Sequence, residues 1–276
     1  MNIDLHTHSS CSDGSLSPSA LIERAARAAV DVLALTDHDT VAGLEEARAA
    51  ASLHGISLVP GTEISAQWRS QTLHVLGLGI DPASPELCAA LDTQAERRRE
   101  RLRRMCARLD KQGLPGARFL AELEHESVPT RSHLARAMVR AGVVSRPDQA
   151  MRKYLGAGQR AHVSCEWPAL AEVVAWIRAA GGAAVLAHPA RYRLSAGARR
   201  LMLAHFTAAG GAALEVVTGP NGAQHAPSLA AMAVGLGLAG SVGSDFHHPE
   251  AAWNPLGRSL KLPDGVPPVW HTHKLL

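Results

Sequence analysis

Short apolar runs alternate with amphipathic stretches in the first third of the chain, and the alternation resumes after residue 168. This pattern is typical of β-strands joined by helices and feeding a parallel sheet. An incomplete or distorted (β/α) barrel, an α/β fold, is therefore expected. The predicted strands are Ile3–Leu5, Val32–Thr36, Leu58–Pro60, Leu73–Leu78, Ala183–Ala187, Ala213–Val217 and Gly240–Gly243.

Helices are predicted between these strands. Ser17 followed by Pro18 is typical of an N-cap with proline at the first helical position, so a helix is expected to begin there. A second helix is expected to run to about His54, with Asp37 or Asp39 as its cap. The other predicted barrel helices start at Pro168 or cover Ala198–Ala209 and Pro227–Leu236.

The stretch from about residue 84 to residue 168 has a different character. It is long, charged and helical in pattern, shows no clear strand, and contains the run Glu96–Arg101. We interpret it as a helical insertion. The prediction is a discontinuous barrel domain at 1–83 and 165–276, with a helical insertion domain at 84–164.

Length and composition set the broad class. With 276 residues, 46% of them hydrophobic, the chain can bury a full core. It contains no long uninterrupted apolar run and does not open on a basic segment followed by an apolar one, which predicts a soluble, cytoplasmic protein with no membrane partner. The cysteines show no CxxC pair, so we expect free thiols at Cys11, Cys88, Cys106 and Cys165.

Charge adds a weak indication of the ligand. The net charge is +3, and all but four of the 28 cationic residues are arginines. Arginine favours bidentate contacts with phosphate, although a genome that favours arginine and alanine codons would explain the composition equally well. The 15 histidines are more unusual, because histidine is a common metal ligand at neutral pH.

Residues able to bind a metal follow or lie within most of the predicted strands. Because the carboxyl ends of barrel strands converge, residues far apart in sequence are expected to meet there. A single HxH triplet is weak evidence, since chance supplies roughly one in such a chain. The tail triplet of His271 and His273 is interpreted as surface. The ordered set is Asp4-Leu5-His6-Thr7-His8, Asp13, Asp37-His38, Glu63, His74, His188 and Asp245-Phe246-His247.

Each member of this set has an ordinary structural explanation. Asp13 lies in Ser12-Asp13-Gly14-Ser15, where a turn aspartate is common. His74, in an apolar strand, is by itself more often a hydrogen-bonded core histidine than a ligand. Taken together, however, the set would bury several ionisable groups without partners, which is costly. Shared metal ions remove that cost.

Four motifs of the chain resemble the PHP (polymerase and histidinol phosphatase) family of metal-dependent phosphoesterases. The resemblance covers about residues 1–82 and 165–250 and implies a distorted (β/α)7 barrel with two or three metal ions. The motifs are Asp4-Leu5-His6-Thr7-His8-Ser9 through Ser12-Asp13-Gly14, then Thr36-Asp37-His38, Ala187-His188-Pro189 and Gly243-Ser244-Asp245-Phe246-His247.

The resemblance implies nine metal ligands. They are His6, His8 and Asp245 on one ion, His74 and His188 on another, Asp13, His38 and His247 on a third, and Glu63 as a bridging carboxylate. Mixed nitrogen and oxygen ligands suit Mn²⁺, Zn²⁺ or Fe²⁺, and Mn²⁺ is the first expectation. His38 or Asp13 is expected to relay a proton to the leaving group, which makes these two the candidate catalytic residues.

The insertion resembles a bacterial subgroup that removes the 3′-phosphate from nucleoside 3′,5′-bisphosphates, some members of which also trim short RNA from its 5′ end. The resemblance lies in residues 129–136 and 154–156, with Ser132 standing where proline is expected. A second phosphate needs an anion site, for which Arg131 and then Arg99 are the leading candidates. The candidate substrate-binding residues are Arg99, Arg131, Ser132, His133 and Asn221.

Two polar features have strong alternative interpretations. Arg97, Arg101, Arg104 and Arg108 fall on one helical face, and such a run is more often a solvated face than a binding site. Glu215 is interpreted with equal weight as a residue that orients a ligand histidine or as a plain carboxylate at a strand end.

Three other functions are alternatives. Histidinol phosphatases share the metal motifs, and a TIM-barrel amidohydrolase also uses an early HxH and a late aspartate, but it would not explain Asp13 or Asp37-His38. A non-catalytic metal or nucleic-acid module is the third. With 4% aromatic residues the chain lacks a base-stacking platform, so the expected partners are a small phosphorylated nucleotide or short RNA, and not DNA.

Overall fold

The computed structural model describes residues 1–250, 254–258 and 260–276, with the side chains of residues 220 and 221 left undescribed. Seven strands form one sheet whose spatial order follows the chain order. They are β1 Ile3–Thr7, β2 Val32–Leu35, β3 Ser57–Trp68, β4 Gln71–Leu78, β5 Ala183–Leu186, β6 Ala213–Thr218 and β7 Ala239–Gly243. Each of the seven predicted strands is present.

The sheet curls into a nearly closed barrel. The segment after β7 lies against β1, where the Asp245 amide donates to the His6 carbonyl at 2.8 Å and the His8 amide donates to the Phe246 carbonyl at 2.9 Å. Strands β1 to β3 are parallel, as are β5 to β7. The prediction of a distorted (β/α)7 barrel is confirmed, and the distortion lies at β4.

The expectation of a parallel sheet is wrong for β4, which runs antiparallel to both neighbours. Strand β3 is also much longer than predicted. Its second half is buried on both faces and includes polar residues such as Thr62 and Glu63, so it lacks the alternation by which a half-buried strand is recognised. Together β3 and β4 form a long hairpin whose turn lies at residues 69 and 70.

Helices connect most of the strands, and the longest of them follows β4. They are α1 Pro18–Arg27, α2 Leu44–His54, α3 Pro85–Asp110, α4 Gly116–Leu123, α5 Arg131–Arg140, α6 Pro147–Ala150, α7 Leu170–Ala179, α8 Ala196–Ala208, α9 Gly219–Gly222, α10 Ala226–Gly235 and α11 Val269–Thr272. A π-helical turn covers Met151–Leu155, and 3₁₀ turns cover Pro189–Arg191 and Ala223–His225.

Of the two predicted helix N-caps, one is confirmed and the other is wrong. The Ser17 hydroxyl accepts from the Ala20 amide at 3.2 Å, so the predicted N-cap of α1 is confirmed. The prediction that Asp37 or Asp39 caps α2 is wrong, because α2 begins after Gly43 with no side-chain cap. Both aspartates are used elsewhere, Asp37 as an acceptor for Ser9 and Ser12 and Asp39 as an acceptor for the Ser65 amide.

The chain forms two compact units. The first, Met1–Leu91 with Pro168–Leu276, contains the barrel. Its interior is built from apolar strand residues and the inner faces of the surrounding helices, for example Leu5, Ile64, Leu76 and Ile177, each fully buried. Burial of one such side chain contributes about 1.5–3 kcal/mol.

The second unit, Asp92–Trp167, is helical and has its own hydrophobic core. That core contains Leu102, Phe119, Leu134 and Met138, all almost completely buried. The domain boundaries drawn from the sequence, 84 and 164, stay a prediction. No disulfide joins the four cysteines, all of which fall in the described ranges. None of the described helices combines the length and apolar character needed to cross a membrane.

Candidate metal centre

The HxH pair lies where β1 ends. Residues two apart in an extended strand share a face, so His6 and His8 both point into the barrel mouth, and both are fully buried. The His6 Nδ1 atom lies 2.9 Å from the Glu215 carboxylate, which can only accept, so Nδ1 carries the proton. The other ring nitrogen of His6, Nε2, therefore points into the cluster and lies 3.1 Å from Nε2 of His8.

Glu63 occupies the middle of the cluster. Its Oε1 atom lies 3.0 Å from Nδ1 of His74 and 3.0 Å from Nε2 of His188, and its Oε2 atom lies 2.9 Å from Nδ1 of His38. The same Oε2 lies within 3.4 Å of the Nε2 atoms of both HxH imidazoles. One carboxylate thus contacts five imidazoles, an arrangement suited to bridging metal ions.

The β3–β4 hairpin explains how Glu63 and His74 meet. His74 is paired with Ser65, two residues beyond Glu63, so the side chains of Glu63 and His74 lie on the same face of the hairpin. Because β4 is reversed, a residue near its beginning reaches the carboxyl ends of the parallel strands. The expectation that ligands lie at strand ends is therefore wrong for Glu63, which lies in the middle of β3.

Asp13, Asp245 and His247 complete the set. Asp245 Oδ1 lies 3.4 Å and 3.3 Å from Nε2 of His6 and His8. His247 Nε2 lies 3.2 Å from Asp13 Oδ1, and its Nδ1 lies 3.5 Å from Asp245 Oδ1. All nine predicted ligands therefore converge on one region of the barrel mouth.

Three subsets of these residues place their donor atoms within 4.8 Å of one another, which is close enough to share an ion. They are His8, Asp13, His38 and His247; His6, His8 and Glu63; and His38, Glu63 and His74. The residues fit a metal centre on two counts. Nitrogen and carboxylate oxygen atoms converge, and the Glu215 carboxylate holds Nδ1 of His6 so that Nε2 points at the same place.

The electrostatics of the protein alone show how strongly these groups interact. Burial opposes charge on His247, but the carboxylates of Asp13 and Asp245 raise its pKa to about 10. Burial and then the neighbouring His247 lower the pKa of His8 to about 3. Although burial alone would raise the pKa of Glu63, the surrounding histidines hold it well below the usual range. With Asp13 and Asp245, whose pKa values are also lowered, three ionised carboxylates face the imidazoles.

Glu215, which the sequence left open, contacts two of the candidate ligand residues. Its Oε1 atom accepts from His6, and its Oε2 atom accepts from the His188 amide at 2.5 Å and from the Thr218 hydroxyl at 2.8 Å. Glycine at position 243 makes this contact possible, because a Cβ there would lie 2.2 Å from His6 Cβ and 2.7 Å from Glu215 Oε1. Glu215 therefore orients candidate ligands.

Two candidate ligands have a left-handed backbone. The φ angle is +33° at His188 and +55° at Asp245. Residues other than glycine adopt such angles at a free-energy cost, and they concentrate at functional sites. At both positions the backbone amide is held, His188 by Glu215 and Asp245 by the His6 carbonyl.

Arg191 is a functional candidate that sequence reasoning missed. It ends the 3₁₀ turn after His188, and its guanidinium contacts the Asp245 carboxylate. Its side chain is 48% exposed, so it borders the cluster from the solvent side. The sequence contains one feature that could have identified it. Arg191 lies three residues after the motif residue His188, which is one turn of a 3₁₀-helix.

The candidate substrate residues lie in the second unit, apart from Asn221. The Thr130 hydroxyl caps α5 by accepting from the amides of Ser132 and His133, and Nδ1 of His133 accepts from the Thr130 amide at 3.1 Å. His133 is thus buried in a capping box. Arg99 pairs with Glu96. Asn221 belongs to α9, and its side chain lies outside the described part of the chain.

Arg131 is the first residue of α5 and lies near other cations. Repulsion from Arg131 and Arg98 adds to burial in lowering the pKa of Arg101 to about 10. The amides at the beginning of α5 are used by the Thr130 cap, so the charge of the guanidinium is the main feature Arg131 offers an anion. The exposed tail residues His271 and His273 are at the surface, as predicted.

Comparison with known proteins agrees with this geometry. The PHP domain model matches residues 4–180. The chain is 42% identical over 267 residues to a 5′-3′ exoribonuclease of Haemophilus influenzae, covering 97% of both chains. It is 42% identical over 271 residues to a 3′,5′-nucleoside bisphosphate phosphatase of Chromobacterium violaceum, covering 98% of this chain and 95% of the relative.

A solved structure is similarly close. A Chromobacterium violaceum protein described as an amidohydrolase with bound sulfate has a TM-score of 0.93 and 40% identity, covering 99% of this chain and 96% of that one. The motifs, the distorted seven-stranded barrel and the matches over nearly the whole chain lead to the same assignment. The chain belongs to the PHP family.

Proposed function

We propose that the protein is a metal-dependent phosphomonoesterase that removes the 3′-phosphate from nucleoside 3′,5′-bisphosphates, giving a nucleoside 5′-monophosphate and phosphate. The observation that carries the proposal is the position of Glu63, whose two carboxylate oxygens lie within 3.4 Å of five imidazoles. The bisphosphate substrate is supported by the phosphatase relative.

The candidate ligands would hold two or three divalent ions. His6, His8, Asp245 and Glu63 would hold one, Glu63, His74 and His188 a second, and Asp13, His38 and His247 a third. Such ions supply an acidified water as nucleophile and charge to offset that of the phosphate oxygens. Mn²⁺ is the proposed metal, with Zn²⁺ and Fe²⁺ as alternatives that suit the same ligands.

The chain's own residues then account for orientation and proton movement. Arg191, held by Asp245, presents its remaining N–H groups to the phosphate oxygens. Breaking the ester bond leaves a negative 3′-oxygen that must gain a proton. His38 Nε2 lies 3.7 Å from Asp13 Oδ1, and we propose this pair as the route by which the proton arrives.

The phosphate that stays on the product requires a second cationic site. We propose Arg131 for it, with Arg99, Ser132, His133 and Asn221 as further contacts. Support comes from the cationic surroundings of Arg131, shown by its effect on Arg101. His133 is the weakest member, because the capping box already uses its ring nitrogen.

A second activity, 5′-3′ exoribonuclease action on short RNA, is favoured by the Haemophilus relative. In this second activity the same metal centre hydrolyses a phosphodiester bond instead of a phosphomonoester bond. The proposed substrates are then a small phosphorylated nucleotide and short RNA. Neither DNA nor a membrane is a proposed partner. We keep the cytoplasm as the proposed compartment, since the absence of disulfides among the four cysteines suits a reducing environment.

A panel of substrates tests the proposal. The Mn²⁺-loaded enzyme is incubated with adenosine 3′,5′-bisphosphate, histidinol phosphate, a short 5′-phosphorylated RNA and a cyclic amide, and the products are quantified. We expect phosphate release to be fastest from the bisphosphate. Preferred hydrolysis of histidinol phosphate or of the amide contradicts the proposed substrate. No product from any substrate identifies a non-catalytic module.

A further inference from the structure

Charge is distributed very unevenly between the two units. The 76 residues of the second unit contain 16 of the chain's 28 Lys and Arg residues but only nine of its 25 Asp and Glu residues, a formal charge of +7. The other 200 residues have a formal charge of −4. A basic module of this kind attracts a polyanion over a surface larger than one phosphate needs.

Part of this charge forms a continuous surface. Arg101, Arg104 and Arg108 follow one another along one face of α3 at helical spacing. The segment 160–163 lies against that face, where Arg101 Nε donates to the Val163 carbonyl at 2.9 Å and Arg108 donates to the His162 carbonyl. Arginines of α3 therefore hold this segment in place.

The same segment brings further cations alongside. The Ala161 amide donates to the Tyr154 carbonyl at 3.0 Å, which attaches the segment to the π-helical turn. Arg160, Arg152 and Lys153 are exposed there. We call the exposed residues of this surface the arginine track, defined as Arg104, Arg108, Arg152, Lys153 and Arg160.

We propose that the arginine track binds the backbone phosphates of an RNA chain. The inference rests on the proposed function, specifically on its exoribonuclease branch. Arg104 and Arg108 are separated by about 6 Å along the helix axis, a distance that allows them to contact successive phosphates. A nucleoside bisphosphate has only two phosphates and does not use the track.

The composition indicates how such binding works. The only tryptophan of the second unit, Trp167, is almost fully buried and is covered by the guanidinium groups of Arg98 and Arg101. It does not offer a ring on which a base can stack. All five residues of the track are cations, so binding through them is electrostatic, tolerant of base sequence and sensitive to salt, as expected when phosphate contacts release counterions.

The test compares Arg104→Gln/Arg160→Gln with the wild-type enzyme. Both side chains are exposed, and glutamine removes charge while keeping most of the side-chain length. The matched control, Arg48→Gln/Arg200→Gln, removes two exposed cations of the first unit. The quantity measured is kcat/KM for adenosine 3′,5′-bisphosphate and for 5′-phosphorylated RNA of two, five and ten nucleotides, at 50, 100 and 200 mM salt.

For the track variant we expect about a 10- to 30-fold loss on the ten-nucleotide RNA at 100 mM salt, and a salt slope shallower by about 1.4. Activity on the bisphosphate and on the dinucleotide should change less than about twofold, since these substrates have too few phosphates to occupy the track. The control should match the wild type throughout. A polyglutamate peptide should compete poorly with the RNA.

Other results overturn the inference. These are an unchanged ten-nucleotide rate, an equal loss at every length, an equal loss in the control, or competition by polyglutamate as strong as that by RNA. A wild-type enzyme that hydrolyses the bisphosphate but no RNA also overturns it while leaving the phosphatase proposal intact. A wild-type enzyme inactive on all four substrates overturns the proposed function itself.

Discussion

The Nδ1 atom of His6 lies 2.9 Å from Oε1 of Glu215, and both side chains are completely buried. This contact orients the imidazole so that its other ring nitrogen points into the cluster. Removing such a partner of a ligand histidine commonly weakens metal binding by about 10- to 100-fold. We expect that loss for Glu215→Ala, measured by competition with a chelating dye.

A smaller effect is expected for Glu215→Gln, whose amide oxygen can still accept from His6. Glu45→Ala, which removes an exposed carboxylate of α2, is the matched control and should bind metal normally. Wild-type affinity in Glu215→Ala would show that His6 needs no orienting partner.

Loss of a candidate ligand should abolish turnover. His8→Ala and Asp245→Ala each remove a group that faces three of the other donors. We expect phosphate release to fall to the uncatalysed background, with the circular dichroism spectrum unchanged. His271→Ala, in the exposed tail, should retain full activity. Substantial turnover by His8→Ala or Asp245→Ala would exclude that residue from the centre.

Position 243 should accept no side chain. A Cβ there would overlap His6 and Glu215, so Gly243→Ala should destabilise the protein by about 1–3 kcal/mol and lower metal occupancy. Gly197→Ala is the matched control, because nothing lies within 4 Å of the added carbon. Since Gly197 is in α8, its replacement should add about 0.5–1 kcal/mol. Urea unfolding measures both, and equal stabilities would contradict the packing at Gly243.

Arg131→Ala should discriminate between substrates. If Arg131 contacts the phosphate that is not hydrolysed, kcat/KM for adenosine 3′,5′-bisphosphate should fall about 10- to 100-fold, the range for a charged hydrogen bond. Hydrolysis of adenosine 3′-monophosphate should be unaffected. Arg118→Ala, exposed on α4 of the same unit, is the control. An equal loss on both substrates would show that Arg131 acts on something other than the second phosphate.

Metal binding should release protons at neutral pH. In the metal-free protein the pKa of His247 is about 10, so at pH 7 its ring is protonated and must lose that proton to bind an ion. Metal affinity should therefore rise with pH up to about 10. Calorimetry at pH 7 in two buffers of different ionisation enthalpy measures the release, and His247→Ala should release fewer protons. Proton uptake in the wild type would contradict the assignment.

Prediction and structure differ most at the third and fourth strands. Hydropathy located β4 correctly but contains no information on strand direction, so the reversal that brings His74 beside Glu63 could not be foreseen. Thr62 and Glu63 interrupt the apolar run, so the pattern predicted that β3 ends near them. The strand in fact continues to Trp68.

The order of the motifs located the nine candidate ligands, because each lies in or soon after a strand that the pattern predicts. Arg191 and the contact of Glu215 with His6 depend on side-chain directions after a turn and on packing between residues 209 positions apart. No periodicity encodes such contacts. The capping box that uses His133 was likewise visible only once the helix start was known.

The seam between the first and last strands has a consequence for protein synthesis. The hydrogen bonds from Asp245 to His6 and from His8 to Phe246 join the two ends of the barrel, and the centre draws donors from both sides of this seam. A ribosome must therefore translate beyond residue 247 before all nine candidate ligands can come together. A nascent chain that stops before residue 245 lacks two of the nine candidate ligands, Asp245 and His247, so the cluster can assemble only late in synthesis.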